Sequence, residues 1–264
     1  MRGEIPLIKY LTYFKCSIIS QIIFRFQFFI EYISQLIIVL VKIFLWEAIV
    51  ISSNNAILSR GEIITYFILV SIVSQVTDIS LEMATKIRMG TLSNDLIKPI
   101  NPIAVEFSNV LATKIITLIK YIPVAIILIF LYKDYFILPN INFYSILLLL
   151  IGLVISFYIQ IAINMLAFWM NDVSSINYIL VTIFGVFSGN LIPYEFIPNF
   201  VKKVFEILPF SYYVNKPIAG IMGQLTNNQY LEYIGLGVFY IVLFTAVNYI
   251  IFKFGIKKYT SSGG

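Results

Sequence analysis

Long apolar stretches alternate with short polar segments along the 264-residue sequence. Each stretch holds about 20 residues, which as a helix cross the roughly 30 Å hydrocarbon core of a bilayer. A helix is required because an isolated strand cannot satisfy its backbone hydrogen bonds in lipid. The pattern therefore predicts an all-α integral membrane protein with six transmembrane helices, in the apolar blocks 24–51, 62–82, 110–131, 144–168, 175–192 and 231–252.

The segment before the first block has an amphipathic pattern. Over residues 4–20, Leu7, Leu11, Phe14 and Ile18 recur at helical spacing, whereas the polar residues fall on the other faces. This spacing predicts a helix that lies in the membrane interface. A plain extension of the first transmembrane helix is the alternative.

Composition supports a membrane protein. Hydrophobic residues make up 60% of the chain and charged residues only 12%, where a soluble domain carries about 25% charged residues. The net charge of +5 would suggest nucleic-acid binding in a soluble protein. Here the basic residues flank the apolar blocks instead, as they do in membrane proteins. We therefore expect the chain to contact a lipid bilayer and no nucleic acid.

The distribution of Lys and Arg predicts the orientation. The side that holds both termini would carry Arg2, Lys9, Lys15, Arg25, Lys86, Arg88, Lys98, Lys114, Lys253, Lys257 and Lys258, and the other side Arg60, Lys133, Lys202, Lys203 and Lys216. Because cytoplasmic segments carry the excess of basic residues, both termini are expected in the cytoplasm. The protein would lie in the cytoplasmic membrane.

Residues 193–223, before the last block, are interrupted by prolines. Between Pro198 and Pro209 the apolar residues share one helical face and the charged residues the other. Since proline is tolerated in a first turn and breaks a helix interior, we predict a short amphipathic helix there, then a turn and a second short helix from about Lys216. Such an outer pair can dip partway into the membrane where protein covers its backbone.

The longest cytoplasmic connection, residues 83–109, contains signals for helix ends. Gly90 can end the second helix, and Asn101 followed by Pro102 is a favourable start for the third. The apolar residues Leu92, Leu96 and Ile97 lie between these points. Leu92 and Leu96 are four residues apart and so share one face of a helix.

Polar residues recur inside the apolar blocks. Charged groups are costly at the bilayer centre and usually face protein or water, and small or polar residues at four-residue spacing are typical of helix packing. The fourth block, with Gly152, Ser156, Gln160 and Asn164, is interpreted as a packing stripe. In the first three blocks, lining of a path or subunit interface and buried ion pairing both remain open for Glu31, Gln35, Lys42, Gln75, Asp78 and Lys120.

Known catalytic motifs are missing from the sequence. There is no Gly-x-x-x-x-Gly-Lys-Ser/Thr phosphate loop, no histidine and no Gly-x-Ser-x-Gly segment, and the single cysteine, Cys16, cannot form an internal disulfide. We expect no enzymatic activity and no cofactor or metal bound by this chain. Any ATP would have to be used by a partner.

The series Ser188-Gly189, Pro193, Pro198, Leu208-Pro209 and Pro217 before the last apolar block resembles the membrane subunits of ABC type-2 exporters. The helix number, cytoplasmic termini and interfacial first helix fit the same family. The resemblance implies one permease domain over residues 1–264 with a re-entrant helical pair before the last helix, marked here by Gly189, Pro193, Pro198, Pro209 and Pro217.

The same resemblance implies partners. These are a separate ABC-type ATPase, which would bind ATP and Mg, and a second membrane subunit, either identical or paralogous. In this family the cytoplasmic connection holds a short coupling helix that docks on the ATPase. Residues 91–98 would be its counterpart, with Thr91, Leu92, Asp95, Leu96 and Lys98 as the expected contacts. A solvated loop with the basic residues usual on the cytoplasmic side is the alternative.

Two other functions remain open. An ion- or proton-coupled transporter could use Glu31, Asp78 and Lys120 as a relay, although such transporters usually show an internal repeat, and none is visible here. A membrane scaffold or immunity protein would transport nothing. The sequence does not select among a peptide, lipid, glycan or drug substrate.

Overall fold

The helices of the computed structural model follow the apolar blocks of the sequence. The structure describes residues 6–22, 25–52 and 58–259. The all-α prediction is confirmed within these ranges, which contain α1 Pro6–Ile22, α2 Arg25–Ser52, α3 Arg60–Thr77, α4 Met83–Arg88, α5 Ser93–Leu96, α6 Pro102–Leu131, α7 Phe143–Met165, α8 Ser174–Phe187, α9 Asn199–Ile207, α10 Asn215–Ile221 and α11 Asn227–Ile256. Single 3₁₀ turns lie at Leu166–Phe168, Tyr194–Phe196 and Pro209–Tyr212.

Four of these helices are long and apolar enough to cross a membrane. They correspond to Ile30–Ser52, Pro102–Leu131, Phe143–Phe168 and Asn227–Ile256. The other two predicted blocks are also helical but shorter, since α3 has 18 residues and α8 has 14. Four spans are thus supported by length and composition, and the total of six stays a prediction.

The ends of α3 and α8 explain why these helices are short. The backbone of Asp78 is extended, with φ −76° and ψ 110°, so α3 stops five residues before the predicted end of its block. Beyond α8, Gly189 has φ +88°, a left-handed conformation that favours glycine. Both breaks fall where polar or small residues interrupt the apolar sequence.

The centre of the bundle is α3. A capping box starts this helix, because Ser59 Oγ accepts from the Glu62 amide at 3.2 Å and Glu62 Oε2 accepts from the Ser59 amide at 2.7 Å. Most of its residues are buried, and it packs against α2, α6, α7 and α10. In contrast, Leu180 is the only buried residue of α8.

The start of α6 confirms the predicted cap. The Asn101 side chain accepts from the amides of Ile103 and Ala104 at 2.9 and 3.4 Å, and Pro102 occupies the first helical position. The helix therefore begins eight residues before the apolar block. Its first turns carry Glu106, a polar residue that the hydropathy pattern had excluded from the span.

The first helix packs against α6. Ser108 Oγ donates to the carbonyl of Tyr10 at 2.8 Å, and Tyr10 Oη accepts from the Asn101 amide at 3.1 Å. A helix over the predicted segment is therefore confirmed for Pro6–Ile22. Its location in the membrane interface stays a prediction.

Close contacts of two glycines fix the packing of α7 and α11 around Tyr212. A Cβ atom on Gly152 would lie 2.2 Å from the Tyr212 carbonyl oxygen, and one on Gly237 would lie 2.6 Å from Ile151 Cγ2. Ser156 and Asn164, further along the predicted packing stripe of α7, are also buried. Gly152, Ser156 and Asn164 therefore pack between helices, as predicted, whereas Gln160 is half-buried and lines a cavity.

Candidate functional site

The connection between α3 and α6 is held by an ion-pair cluster. Lys86 Nζ lies 2.7 Å from Glu106 Oε1 and 3.4 Å from Asp95 Oδ2, which links α4, α5 and α6. Burial acts to lower the pKa of Lys86, but the hydrogen bond and charge of Glu106, together with Asp95, outweigh it and raise that pKa. The segment is further tied to the end of the chain, where Tyr259 Oη accepts from the Ser93 amide at 3.0 Å.

One residue of the predicted coupling helix does not lie on its surface. Leu92 is completely buried and packs with Met83 and Ile87 of α4. The prediction that it forms an exposed apolar face with Leu96 is therefore wrong. The cause is the turn at Gly90, with φ +72°, after which Leu92 folds back so that its amide donates to the Lys86 carbonyl at 3.1 Å.

The regular helix in this segment is a single turn, Ser93–Leu96. Asp95 is 9% exposed, Leu96 is half-buried, and Thr91 and Lys98 are exposed. The large apolar side chains that do reach the surface are Met89, which is 65% exposed, and Ile97, which is 82% exposed. The apolar surface of the segment therefore lies at Met89 and Ile97.

Four of the six polar residues proposed to line a path lie together. Glu31 and Gln35 of α2, Gln75 of α3 and Lys120 of α6 line one cavity of about 370 Å³. Tyr32, Thr117 and Tyr121 complete the wall. Three helices thus direct a carboxylate, an ammonium group and two carboxamides into one space, which can contact a polar group.

The other two path residues lie elsewhere. Lys42 Nζ donates to the Asn190 Oδ1 atom at 2.5 Å, and Trp46 Nε1 donates to the Leu191 carbonyl at 3.0 Å. These contacts join α2 to the segment after α8. Asp78 lines a separate cavity of about 450 Å³ between α3, α7 and α8, and its carbonyl accepts from Lys114.

The predicted pair of short helices before the last span is present as α9 and α10. Pro198 immediately precedes α9, and Pro209 starts the turn that follows it. The segment is anchored to α3 near Gly189, whose carbonyl accepts from Tyr66 Oη at 2.7 Å. A side chain at Gly189 would collide with that hydroxyl, since a Cβ would lie 2.8 Å away. How deeply the pair enters the membrane stays a prediction.

Lys216 is a residue whose environment sequence reasoning missed. The charge pattern predicts an ordinary outer charge at this position, but the side chain is completely buried at the start of α10. Its Nζ lies 3.8 Å from the ring centroid of Tyr212 and 4.5 Å from that of Tyr233. Among the described residues it has no hydrogen-bond acceptor. Its position in the apolar run from Val214 to Ile221 was the available signal.

The pKa of Lys216 reflects this enclosure. Burial lowers it from 10.5 to about 7, while the carboxylates of Glu206 and Glu232 act in the opposite direction. The two rings also favour the charged form through cation–π attraction. This lysine can therefore change charge near neutral pH.

Metal-ligand side chains are sparse in the part of the chain that the structure describes. No group of three or more His, Cys, Asp or Glu side chains there could hold a metal ion. The arrangement offers two cavities between helices that polar side chains help to line, and an ordered segment beyond them.

Comparison with known proteins identifies the family. No curated protein sequence matches this chain. The family model described as ABC-2 family transporter protein matches residues 36–263, from the first half of α2 to beyond α11. Together with four helices that can span a bilayer, this match confirms the resemblance seen in the sequence. The chain therefore belongs to the ABC-2 family of transporter proteins and is a multi-pass membrane subunit of an ABC transporter.

Proposed function

We propose that this chain is the permease subunit of an ATP-driven exporter whose ATPase is a separate polypeptide. The observation that carries the proposal is the family match over residues 36–263. Permeases of this family normally work with an ABC ATPase. ATP and Mg would bind to that partner, and residues 1–264 would act as one permease domain.

The proposed orientation has six spanning helices and both termini in the cytoplasm. The excess of basic residues on the terminal side supports it. The two shorter helices, α3 and α8, would complete the set of six. The short helices α9 and α10 would then lie on the outer side of the cytoplasmic membrane, and α4 and α5 on the inner side.

The proposed assembly contains two membrane subunits, either identical or paralogous. Support comes from α8, where Tyr178, Ile179 and Val181 are all more than 60% exposed while the cavity at Asp78 opens beside them. A second subunit would cover part of this surface. The cavities lined by Glu31, Lys120 and Asp78 would then lie along the substrate path.

In the proposed mechanism, closure of the ATPase changes the packing of the permease helices. The α4–α5 segment is suited to transmit this change because Lys86 links it to Glu106 on α6. A displacement of the segment would move α6 with it. Met89 and Ile97 replace Leu92 as the apolar contacts, beside Thr91, Asp95, Leu96 and Lys98.

The test is to replace both exposed apolar residues, as Met89→Asp with Ile97→Asp, and to measure recovery of an ABC-type ATPase with the tagged permease. Burying one such side chain stabilises a contact by about 1.5 to 3 kcal/mol, so recovery should fall more than about tenfold, since 1.4 kcal/mol is tenfold. Membrane levels should not change, because both side chains are already exposed.

A matched control is Leu138→Asp, which changes an 84% exposed leucine in the connection between α6 and α7. It should leave ATPase recovery unchanged. Equal recovery with the double variant and with wild type, at normal membrane levels, would refute the proposed contact. Failure to recover any ABC-type ATPase with the wild-type chain in repeated mild preparations would refute the exporter proposal itself.

A further inference from the structure

A cleft of about 550 Å³ separates the start of α6 from α7 and α11. Its walls are mainly hydrocarbon and aromatic, with Ile103 and Phe107 from α6, Val154 and Phe157 from α7, and Phe252 from α11. The rings of Phe107 and Phe157 meet edge to face, 5.0 Å apart. The volume lies within the range of about 300–1,000 Å³ typical of ligand pockets.

The cleft lies on a lateral face of the bundle. Tyr230, Gly237, Asn248 and Gly255 are the only buried residues of α11, so this spanning helix presents most of its surface outward. Because α6 and α11 are both long and apolar enough to cross a membrane, the medium beside them is the bilayer. The molecules with access to the cleft are therefore lipids.

The charge at the end of α11 selects among those lipids. Lys253 is exposed, and its Nζ lies 5.9 Å from the ring centroid of Tyr249, which lines the cleft. From Tyr233 to Tyr259 the sequence contains no Asp or Glu, whereas it contains Lys253, Lys257 and Lys258. On α6, the carboxylate of Glu106 is already paired with Lys86. An anionic headgroup would thus meet positive charge beside the cleft.

We propose that the cleft between α6, α7 and α11 binds one anionic phospholipid, with an acyl chain against Phe107 and Phe157 and the phosphate at Lys253. Basic side chains near the ends of spanning helices attract anionic headgroups. The apolar walls suit an acyl chain because they offer few polar partners. The proposal requires only insertion in a membrane, so it does not depend on ATP-driven export.

A charge test uses the full chain purified in mild detergent. It would be titrated with phosphatidylglycerol or with phosphatidylcholine of the same chains, and bound lipid would be counted by native mass spectrometry. Wild type should bind one phosphatidylglycerol more tightly than phosphatidylcholine. Lys253→Gln should weaken phosphatidylglycerol binding about fivefold, as expected for one lysine near a headgroup, and leave phosphatidylcholine binding unchanged.

The matched control is Lys257→Gln. Lys257 is also exposed but lies over the ring of Phe254, which does not line the cleft. Its replacement should weaken phosphatidylglycerol binding less than Lys253→Gln does, because its ammonium group lies over a ring outside the cleft. Equal losses in the two variants would show a general effect of positive charge and would overturn the proposed site.

A second test fills the cleft. Thr245→Trp places an indole ring at a cleft-lining position of α11 and should abolish retention of both lipids. Val242→Trp makes the same change at a position that is 64% exposed and does not line the cleft, so both lipids should still bind. Wild-type phosphatidylglycerol affinity in Thr245→Trp, in a monodisperse preparation, would overturn the proposal.

Discussion

At Lys216 the fold encloses a titratable group that has aromatic rings as its nearest partners. Glu206 of α9 and Glu232 of α11 are the carboxylates that act on it, while α7, against which α10 packs, has no charged residue. Enclosure of a charged amine is costly. The neutral amine is the form that this environment tolerates best, and the rings offset part of the cost when it is charged.

This enclosure predicts how stability depends on pH. Between pH 7 and 10.5 the unfolded chain, with an ordinary lysine pKa of 10.5, binds a proton that the folded chain, with a pKa of about 7, has released. The slope of unfolding free energy with pH is therefore positive. The contribution of Lys216 to stability should rise through this window and be constant below about pH 7. Thermal unfolding midpoints of the detergent-purified protein from about pH 7 to 9 would measure it.

The variants that test this pH dependence are Lys216→Met and Lys203→Met. The first removes the buried amine and should flatten the rise, whereas the second removes an exposed lysine of α9 and should leave the rise as in wild type. The same slope in Lys216→Met as in wild type would assign the rise to other groups.

Gly152 allows a second prediction at the level of single atoms. In Gly152→Ala the new methyl group would meet the backbone oxygen of Tyr212 at 2.2 Å, and backbone cannot move aside as a side chain can. Overpacking of this kind typically costs about 1–3 kcal/mol, so the unfolding temperature should fall. Gly235→Ala is the control, because nothing lies within 4 Å of its added Cβ. A stable Gly152→Ala protein would contradict the tight packing described for α7.

At the scale of helices, the predictable features are those with local signals. Asn101 and Pro102 start α6, and Pro198 and Pro209 bound α9, because capping and proline effects act within a few residues. The burial of Leu92 and Lys216 could not be predicted in this way. The burial of Leu92 depends on how the turn at Gly90 folds it into the core shared by α4 and α7. The burial of Lys216 depends on Tyr233 of α11, which is distant in the sequence.

The link between α4, α5 and α6 gives a prediction at this scale. Glu106→Gln removes the charge that holds Lys86, and loss of such a charged hydrogen bond costs about 2 kcal/mol. The amides of Asp95 and Leu96, which donate to the Leu92 carbonyl, should then exchange with deuterium faster. Glu82→Gln is the control, since Glu82 is exposed and its side chain makes no capping hydrogen bond to α4. Equal exchange rates of these amides in the two variants would contradict a role of the Lys86–Glu106 ion pair in the proposed coupling.

For the molecule as a whole, the arrangement of cavities bears on the alternative of a proton relay. Glu31 and Lys120 line the cavity among α2, α3 and α6, whereas Asp78 lines the one between α3, α7 and α8. The three groups therefore do not share one space. In the sequence the three residues resemble one another because each places a charge inside an apolar block. Helical periodicity gives the face of the helix on which a residue lies, but not which neighbouring helix packs against that face.

Orientation is the prediction that involves the entire chain. In a background without Cys16, single cysteines at Asn140 and Asn199, both exposed, should react with an impermeant thiol reagent added to intact cells. A cysteine at Thr91, also exposed, should react only after the membrane is opened. Labelling of the Thr91 position in intact cells would reverse the proposed orientation and place the α4–α5 segment outside.

The sparse burial of α8 has a mechanical consequence. The helix is fastened near its ends, where Asn177 accepts a hydrogen bond from Gln160 at 3.1 Å and the amide of Leu191 donates to the Gly185 carbonyl at 3.2 Å. Between these points Leu180 alone is buried, so bending the middle outward exposes little apolar surface. The α8 side of the Asp78 cavity is therefore easily displaced, whereas the α3 side is held by its buried packing. A bulky solute entering that cavity would deform α8 and leave α3 in place.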